Sequence, residues 1–192
     1  GHLHTDKPVT KLADLEGMKI RRPTDVIGEL LSELGAEPVG MPAPQIYESM
    51  QRGTIDGYML PWEAVDGFRA YEVSDHHTQF GFYALAFVAT MNKATYENLP
   101  ADLKAVIDDN SGMKWSLVAG RGYDEADKVG IAKIEETGGA IHEIDAGQRA
   151  AWEAAAERAT QSYLDELEEM GLPGRETYAQ IEDYVAECRA EI

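Results

Sequence analysis

The chain has 192 residues, 44% hydrophobic and 27% charged, an ordinary composition for a globular protein long enough to bury a substantial core. Its formal net charge of −18 argues strongly against nucleic acid as a partner, because neutralising phosphates requires clustered Lys and Arg, and against an anionic lipid surface. No apolar run approaches the ~20 residues of a membrane-spanning helix. The single cysteine, Cys188, excludes an intrachain disulfide.

The first nine residues are typical of a plain edge strand or a loop. His2 and His4 project from the same side of such an extended segment, which makes a metal site conceivable. Only Asp6 lies close enough along the chain to be a further ligand, and this spacing is thin support for a metal site. We therefore expect no bound metal.

The next fifty residues predict a compact α/β unit. Apolar spacing and Gly/Pro punctuation indicate a strand at 18–22, a helix at 26–34, a strand at 37–41, a helix at 44–53 and a strand at 54–60. Alternating strands and helices with short links favour a parallel sheet with right-handed crossovers. The first half of the chain therefore builds the sheet.

Arg21 lies at the carboxyl end of the first of these strands and faces the start of a helix. In open α/β sheets ligands bind at that end. The planar guanidinium offers five N–H donors in a fork that suits a carboxylate. The alternative, that Arg21 and Arg22 are solvated edge residues of an acidic protein, stays open on these residues alone.

Trp62 directly follows the third strand, so its place resembles that of Arg21. It would form an apolar wall against a ligand or anchor the following helix to the sheet. Further along, aromatic residues flank Gly81 and lead into a longer predicted strand at 84–91. This composition is common in pocket walls and in cores.

The rest of the chain is mainly helical in pattern. It predicts a helix from Lys93 that breaks at Pro100, one long or two abutting helices over 101–136, a short strand at 140–144, and helices at 148–170 and 175–189. Catalytic signatures are missing, since there is no Gly-x-Ser-x-Gly elbow, no phosphate-binding loop and no complete dinucleotide fingerprint. We expect a binding protein without a cofactor rather than a catalyst.

Five sequence blocks are in register over residues 7 to 57. They are Lys7-Pro8-Val9, the run from Asp14 to Arg21, Leu34-Gly35-Ala36, the run from Pro38 to Pro42, and the run from Gly53 to Gly57. In order and spacing they resemble the solute-binding proteins of TRAP transporters, the DctP-type family. The likeness extends more weakly over nearly the whole chain, through Asn92-Lys93 and residues 99–103.

The resemblance implies a two-lobed α/β fold of the periplasmic-binding-protein kind, with most of the amino-terminal lobe outside this chain. It assigns residues 1–86 to the second ligand-binding lobe with its βαβαβ core and residues 87–126 to a segment that returns to the first lobe. Residues 127–192 then complete the second lobe and the C-terminal helices. We expect a monomer when the protein is full length.

The resemblance also implies a periplasmic receptor that captures a small organic acid and delivers it to the TRAP membrane permease. In the family, the arginine of the Lys-Ile-Arg block binds the ligand carboxylate, and that residue is Arg21 here. Arg22 stands where the family usually has no arginine and receives no such role. Leu60 replaces a polar residue that is commonly Asn, which predicts a more apolar pocket for an aromatic or branched acid.

The resulting prediction has six ligand-contacting residues: Arg21, Met59, Leu60, Trp62, Phe80 and Phe82. Tyr83 would fit the same apolar pocket. Two other functions stay open. One is a small-molecule enzyme on a similar two-lobed scaffold, since fold alone does not fix function. The other is an interaction module that binds no small ligand.

Overall fold

The computed structural model describes residues 1–79, 81 and 83–190. They form a mixed sheet of six strands: β1 His2–Thr5, β2 Lys19–Arg22, β3 Glu37–Gly40, β4 Gly57–Leu60, β5 His76–Gln79 and β6 Ala140–Glu143. The spatial order is β3-β2-β4-β1-β5-β6. β1 runs antiparallel to both of its neighbours, whereas the other pairs are parallel.

The helices of the described residues are α1 Asp25–Glu33, α2 Ile46–Gln51, α3 Trp62–Gly67, α4 Lys93–Glu97, α5 Ala101–Asp109, α6 Met113–Glu136, α7 Arg149–Glu169 and α8 Gly174–Ala190. Short 3-10 turns lie at Leu12–Asp14, Ala43–Gln45 and Ala70–Val73. None of the helices in this part of the chain combines the length and apolarity that crossing a membrane requires.

The predicted alternation of strands and helices from β2 to β4 is confirmed. β2 lies between β3 and β4 and is parallel to both. α1 buries one face through Ile27, Leu30 and Leu31, which have helical spacing. After α1 the chain turns at Gly35, whose φ of 89° lies in the left-handed region that favours glycine. The parallel unit therefore follows from local sequence signals.

Two sequence predictions about strands are wrong. β1 lies in the middle of the sheet between β4 and β5, not at an edge or in a loop. Residues 84–91, predicted as a strand, form no strand, and Phe87 and Val88 are 70% and 80% exposed. A strand needs partners: β1 has them in β4 and β5, which are distant in sequence, whereas residues 84–91 have none among the described residues. β5 is paired by β1 on one side and by β6 on the other.

The sheet separates two apolar clusters, as the alternation of side chains along β4 shows. Met59 faces one cluster, which is covered by α1 and α7 and contains the fully buried Trp152. Tyr58 and Leu60 face the other cluster, which packs with α2, α3 and Ile134 of α6. Because alternate residues of a strand point to opposite faces, both sides of β4 are buried.

A long segment of the chain, residues 87–129, lies outside both clusters. α4 and α5 bury no residue, and the buried residues of α6, Gly130 and Ile134, lie near its carboxyl end. Large apolar side chains along this segment are exposed: Phe87, Val88, Met91, Leu103, Val106, Met113, Trp115, Leu117, Val118, Tyr123 and Val129. We call residues 87–129 the exposed apolar segment.

A buried imidazole pair joins β1 to β5. The Nδ1 atoms of His4 and His77 are 2.8 Å apart, and His4 Nε2 lies 3.0 Å from the Leu60 carbonyl oxygen. A carbonyl only accepts hydrogen bonds, so His4 carries its proton on Nε2 and accepts on Nδ1 from the Nδ1–H of His77. Protonating His4 would set two N–H groups against each other. Burial lowers the pKa of His77 to about 4 and the pKa of His4 well below its ordinary value.

We predict that this pair makes the protein less stable in mild acid. Both folded pKa values lie below the ordinary value of 6.5, so the unfolded chain binds more protons than the folded one at lower pH. The free energy of unfolding is expected to be unaffected by the pair above pH 6.5. It should fall from there towards pH 4, the region in which folded His77 itself takes up a proton. Urea unfolding followed by circular dichroism at several pH values measures this.

The control uses another histidine. His77→Gln should reduce the dependence of the free energy of unfolding on pH over this range, whatever its effect on stability at neutral pH. The remaining dependence comes from His4 and from His2, whose pKa burial lowers to about 3. His142→Gln changes a less buried histidine of β6 and should keep the larger part of the dependence. Equal pH slopes in the unsubstituted protein and His77→Gln would contradict the assignment.

Candidate functional site

Arg21 of β2 is positioned by two main-chain carbonyls from the neighbouring strands. Its Nε–H donates to the carbonyl oxygen of Met41, just beyond β3, at 3.0 Å. Its Nη1–H donates to the carbonyl oxygen of Met59 in β4 at 2.9 Å. Because β2 lies between β3 and β4, the guanidinium bridges the carboxyl ends of three parallel strands. The predicted place of Arg21, at the carboxyl end of a parallel strand, is confirmed.

The charge of Arg21 is buried but not neutralised by an acid of the described chain. The residue is 5% exposed, and no described carboxylate forms an ion pair with it. Burial lowers the pKa of the guanidinium, and nearby Tyr83 acts in the opposite direction. An arginine nevertheless stays protonated in proteins. The carbonyls fix the orientation of the fork and leave N–H donors that they do not use.

Arg22 differs in both burial and pairing. Its Nη1 lies 2.5 Å from Asp25 Oδ1 at the start of α1, and the Asp25 side chain is 83% exposed. An exposed pair of this kind adds little to stability. Adjacent residues of β2 point to opposite faces, so Arg22 does not share the surroundings of Arg21. The sequence reading that separated the two arginines matches this placement.

Met59 and Leu60 both have packing roles. Their side chains are 0% and 3% exposed and belong to the two different apolar clusters, on opposite faces of the sheet. Their carbonyls are used separately, by Arg21 and His4. One ligand can therefore lie against at most one of these two side chains. Which of the two predicted contacts exists stays a prediction.

Trp62 begins α3 and is 4% exposed. Its ring stacks on His2 at a centroid distance of 4.1 Å and meets His4 edge-on at 5.4 Å. Of its two predicted roles, anchoring α3 to the sheet agrees with this packing, while contact with a ligand stays a prediction. Phe80 and Phe82, the remaining predicted contacts, lie outside the described residues.

A depression of about 260 Å³ opens beyond the carboxyl end of β4. Its lining includes Pro61, Glu63, Tyr83, Phe87 and Asp127. The backbone N–H of Glu63 donates to Asp127 Oδ1 at 3.0 Å. Burial and the neighbouring Asp127 charge raise the pKa of the Glu63 carboxyl. These acids disfavour an anion beside them, and Arg21 does not line this depression.

Sequence reasoning missed the groups that complete this site. The carbonyls of Met41 and Met59 hold Arg21, and a main-chain carbonyl leaves no mark in a side-chain pattern. The contact of Glu63 with Asp127 joins residues 64 positions apart in the chain, so local spacing does not reveal it. Tyr83 did have a signal, since it belongs to the aromatic group beside Gly81 that is typical of pocket walls.

Comparison with known families adds an independent finding. The family model described as bacterial extracellular solute-binding protein, family 7 (DctP), matches residues 2–166. The C4-dicarboxylate-binding periplasmic protein DctP of Rhodobacter capsulatus is 28% identical to this chain over 152 residues, which are 79% of this chain and 46% of that protein. The chain thus spans about half the length of the curated relatives it matches.

Solved structures agree with the fold. A TRAP solute binding protein from Rhodoferax ferrireducens T118, in complex with copurified benzoate, is 35% identical with a TM-score of 0.89. A marine metagenome TRAP solute binding protein specific for aromatic acid ligands, in complex with metahydroxyphenylacetate, is 32% identical with a TM-score of 0.87. Both matches cover 97% of this chain and 60% of the other.

The predicted fold class and the resemblance to TRAP binding proteins are thereby confirmed, because the family match and the structural matches each extend over most of the chain. This chain belongs to the DctP family, the bacterial extracellular solute-binding proteins of family 7.

Proposed function

We propose that the intact protein is a periplasmic solute-binding protein of a TRAP transporter. It captures a small organic acid through an ion pair between Arg21 and the ligand carboxylate, and it delivers the acid to the membrane permease. The observation that carries this proposal is the buried guanidinium of Arg21, held by two carbonyls and paired with no described carboxylate. The protein acts as a monomer.

Electrostatics supports a carboxylate as the missing partner. A buried charge is costly unless it is paired, and carbonyl dipoles compensate it only in part. A ligand carboxylate would supply the opposite charge and accept N–H donors that the carbonyls leave unused. Since the guanidinium is already oriented, little side-chain entropy would be lost on binding.

The surroundings and the relatives favour an acid with an apolar body. Met59 and Leu60 supply no polar side chain at the carboxyl end of β4 to recognise hydroxyl groups, and Trp62 beyond it is mainly apolar. Two structures more than 30% identical to this chain were solved with aromatic acids. We therefore take benzoate as the first ligand to test, with Phe80, Phe82 and Trp62 as candidate contacts with its ring.

The exposed apolar segment supports the division of the chain into residues 1–86, 87–126 and 127–192. Contiguous exposed apolar surface on this scale marks an interaction site. We propose that a further lobe of the intact protein covers it, so that 87–126 belongs to that lobe while the flanking parts build the lobe described above. The two relatives of known structure contain enough additional residues for such a lobe, because this chain covers only 60% of each of their chains.

The first test replaces Arg21. Arg21→Ala removes the ion pair and should weaken benzoate binding by at least about 100-fold, since breaking a buried pair costs roughly 3–5 kcal/mol. Arg21→Lys keeps the positive charge but cannot donate two parallel hydrogen bonds. Its affinity for benzoate should therefore lie between those of the unsubstituted protein and Arg21→Ala. Isothermal titration calorimetry on the intact protein measures the affinities, and circular dichroism reports whether the variants fold.

The matched control is Arg22→Ala. Arg22 forms an exposed ion pair with Asp25, so its removal should change benzoate affinity by less than about threefold. Folded Arg21→Ala and Arg21→Lys with unchanged affinity would refute the ion pair as the mode of capture.

The second test concerns the cover over the exposed apolar segment. Leu117 is 56% exposed here, and the native Cys188 is also exposed. In the 192-residue chain, a cysteine introduced as Leu117→Cys should react with maleimide about as fast as Cys188. In the intact protein it should react at least about 10-fold more slowly than Cys188, because protected side chains react only through opening. Equal rates in the intact protein would show that nothing covers this segment.

A further inference from the structure

Tyr83 has a buried hydroxyl group that the described chain does not satisfy. Its ring packs against the apolar cluster that contains Met59, and its Oη has no hydrogen-bond partner among the described residues. The ring also lies directly against Gly1: a Cβ atom added at Gly1 would be 1.9 Å from the Tyr83 Cζ. The main chain at Gly1 therefore limits the movement of the ring on that side. A fixed, buried donor without a partner is costly, and such groups are rare in folded proteins.

The other buried phenol of the sheet region shows that the fold can satisfy such a group. Tyr58 is 0% exposed, and its Oη donates to the Ala70 carbonyl at 3.0 Å and lies 2.7 Å from Ser74 Oγ. Tyr58 therefore serves the structure alone. The Tyr83 hydroxyl is also buried but has no hydrogen-bond partner among the described residues. This difference points to a partner from outside the described chain.

Tyr83 and Arg21 meet at Met59: Arg21 donates to the Met59 carbonyl, and Tyr83 packs against the apolar cluster that contains the Met59 side chain. Burial raises the pKa of the Tyr83 phenol well above its ordinary value, and the positive charge of Arg21 acts in the opposite direction. The phenol is therefore a neutral O–H donor beside a cation at neutral pH. Tyr83 also lines the depression beyond β4, together with Glu63 and Asp127, and the Glu63 charge adds to the rise in the pKa of the phenol.

We infer that Tyr83 is the second anchor of the ligand: its Oη–H donates to the same carboxylate that Arg21 binds. This inference rests on the proposed function. A carboxylate has lone pairs enough for an arginine fork and one further donor, and an O–H to carboxylate bond is among the stronger hydrogen bonds. The site then selects a carboxylate over an isosteric neutral head group, because both anchors are donors and the second has no other partner.

Tyr83→Phe in the intact protein tests this inference. It removes only the hydroxyl and should weaken benzoate binding by about 10- to 100-fold in calorimetry, the loss of one hydrogen bond to a charged group. At the same time the melting temperature of the ligand-free protein should stay the same or rise, because an unpaired buried hydroxyl has been removed. A hydroxyl with a purely structural role would give the reverse pattern.

Tyr58→Phe is the matched control. It should lower the melting temperature, since the Ala70 carbonyl and Ser74 Oγ each lose one hydrogen bond, and leave benzoate affinity within about threefold. Unchanged affinity in Tyr83→Phe, while Arg21→Lys still weakens binding, would overturn the role of Tyr83 and leave the proposed function standing. If the unsubstituted intact protein bound neither benzoate, 3-hydroxybenzoate nor succinate, the proposed function and this inference would both fail.

Discussion

The structure holds a positive charge that is buried and whose orientation is fixed by main-chain carbonyls. Arg21 is held by carbonyls that belong to the strands on either side of it. Those carbonyls are available only because β3, β2 and β4 are parallel and end together at one edge of the sheet. A carbonyl dipole orients a guanidinium without cancelling its charge, as a carboxylate would. The scaffold therefore orients the arginine and leaves its charge without a carboxylate partner among the described residues.

In the middle of the same sheet, buried polar side chains are neutral and hydrogen-bond to each other. β1 brings His4 against His77, and both imidazoles are neutral and buried. Their bond and the bond from His4 to the Leu60 carbonyl are internal to the described chain, and only the buried His77 Nε2 of this pair has no hydrogen-bond partner among the described residues. The two groups meet at β4, where the Met59 carbonyl serves the arginine and the next carbonyl serves the histidine. The carboxyl end of β4 is thus fixed by polar contacts from both sides.

Much of this arrangement was predictable from the sequence because its causes are local. Proline and glycine mark the ends of strands and helices from β2 to β4, and helical spacing identifies α1. The position of Arg21 follows from those signals. The central place of β1 was not predictable, since pairing with β4 and β5 is decided by residues more than fifty positions away. The strand predicted at 84–91 was wrong for a related reason. An apolar run indicates that its side chains are buried, but it does not identify the surface that buries them.

The apolar run at 84–91 is important for the candidate site. Exposing an apolar run that is neither a strand nor part of the core is unfavourable, so a cover over it would stabilise the protein. In this chain the run begins just after Tyr83, so the candidate site and the exposed apolar segment are continuous along the backbone. If a further lobe covers the segment as proposed, the same contact would exclude water from the depression beside Tyr83. Excluding water strengthens the attraction between Arg21 and a carboxylate, because the effective dielectric constant falls. Covering the apolar surface and binding the anion would then favour each other.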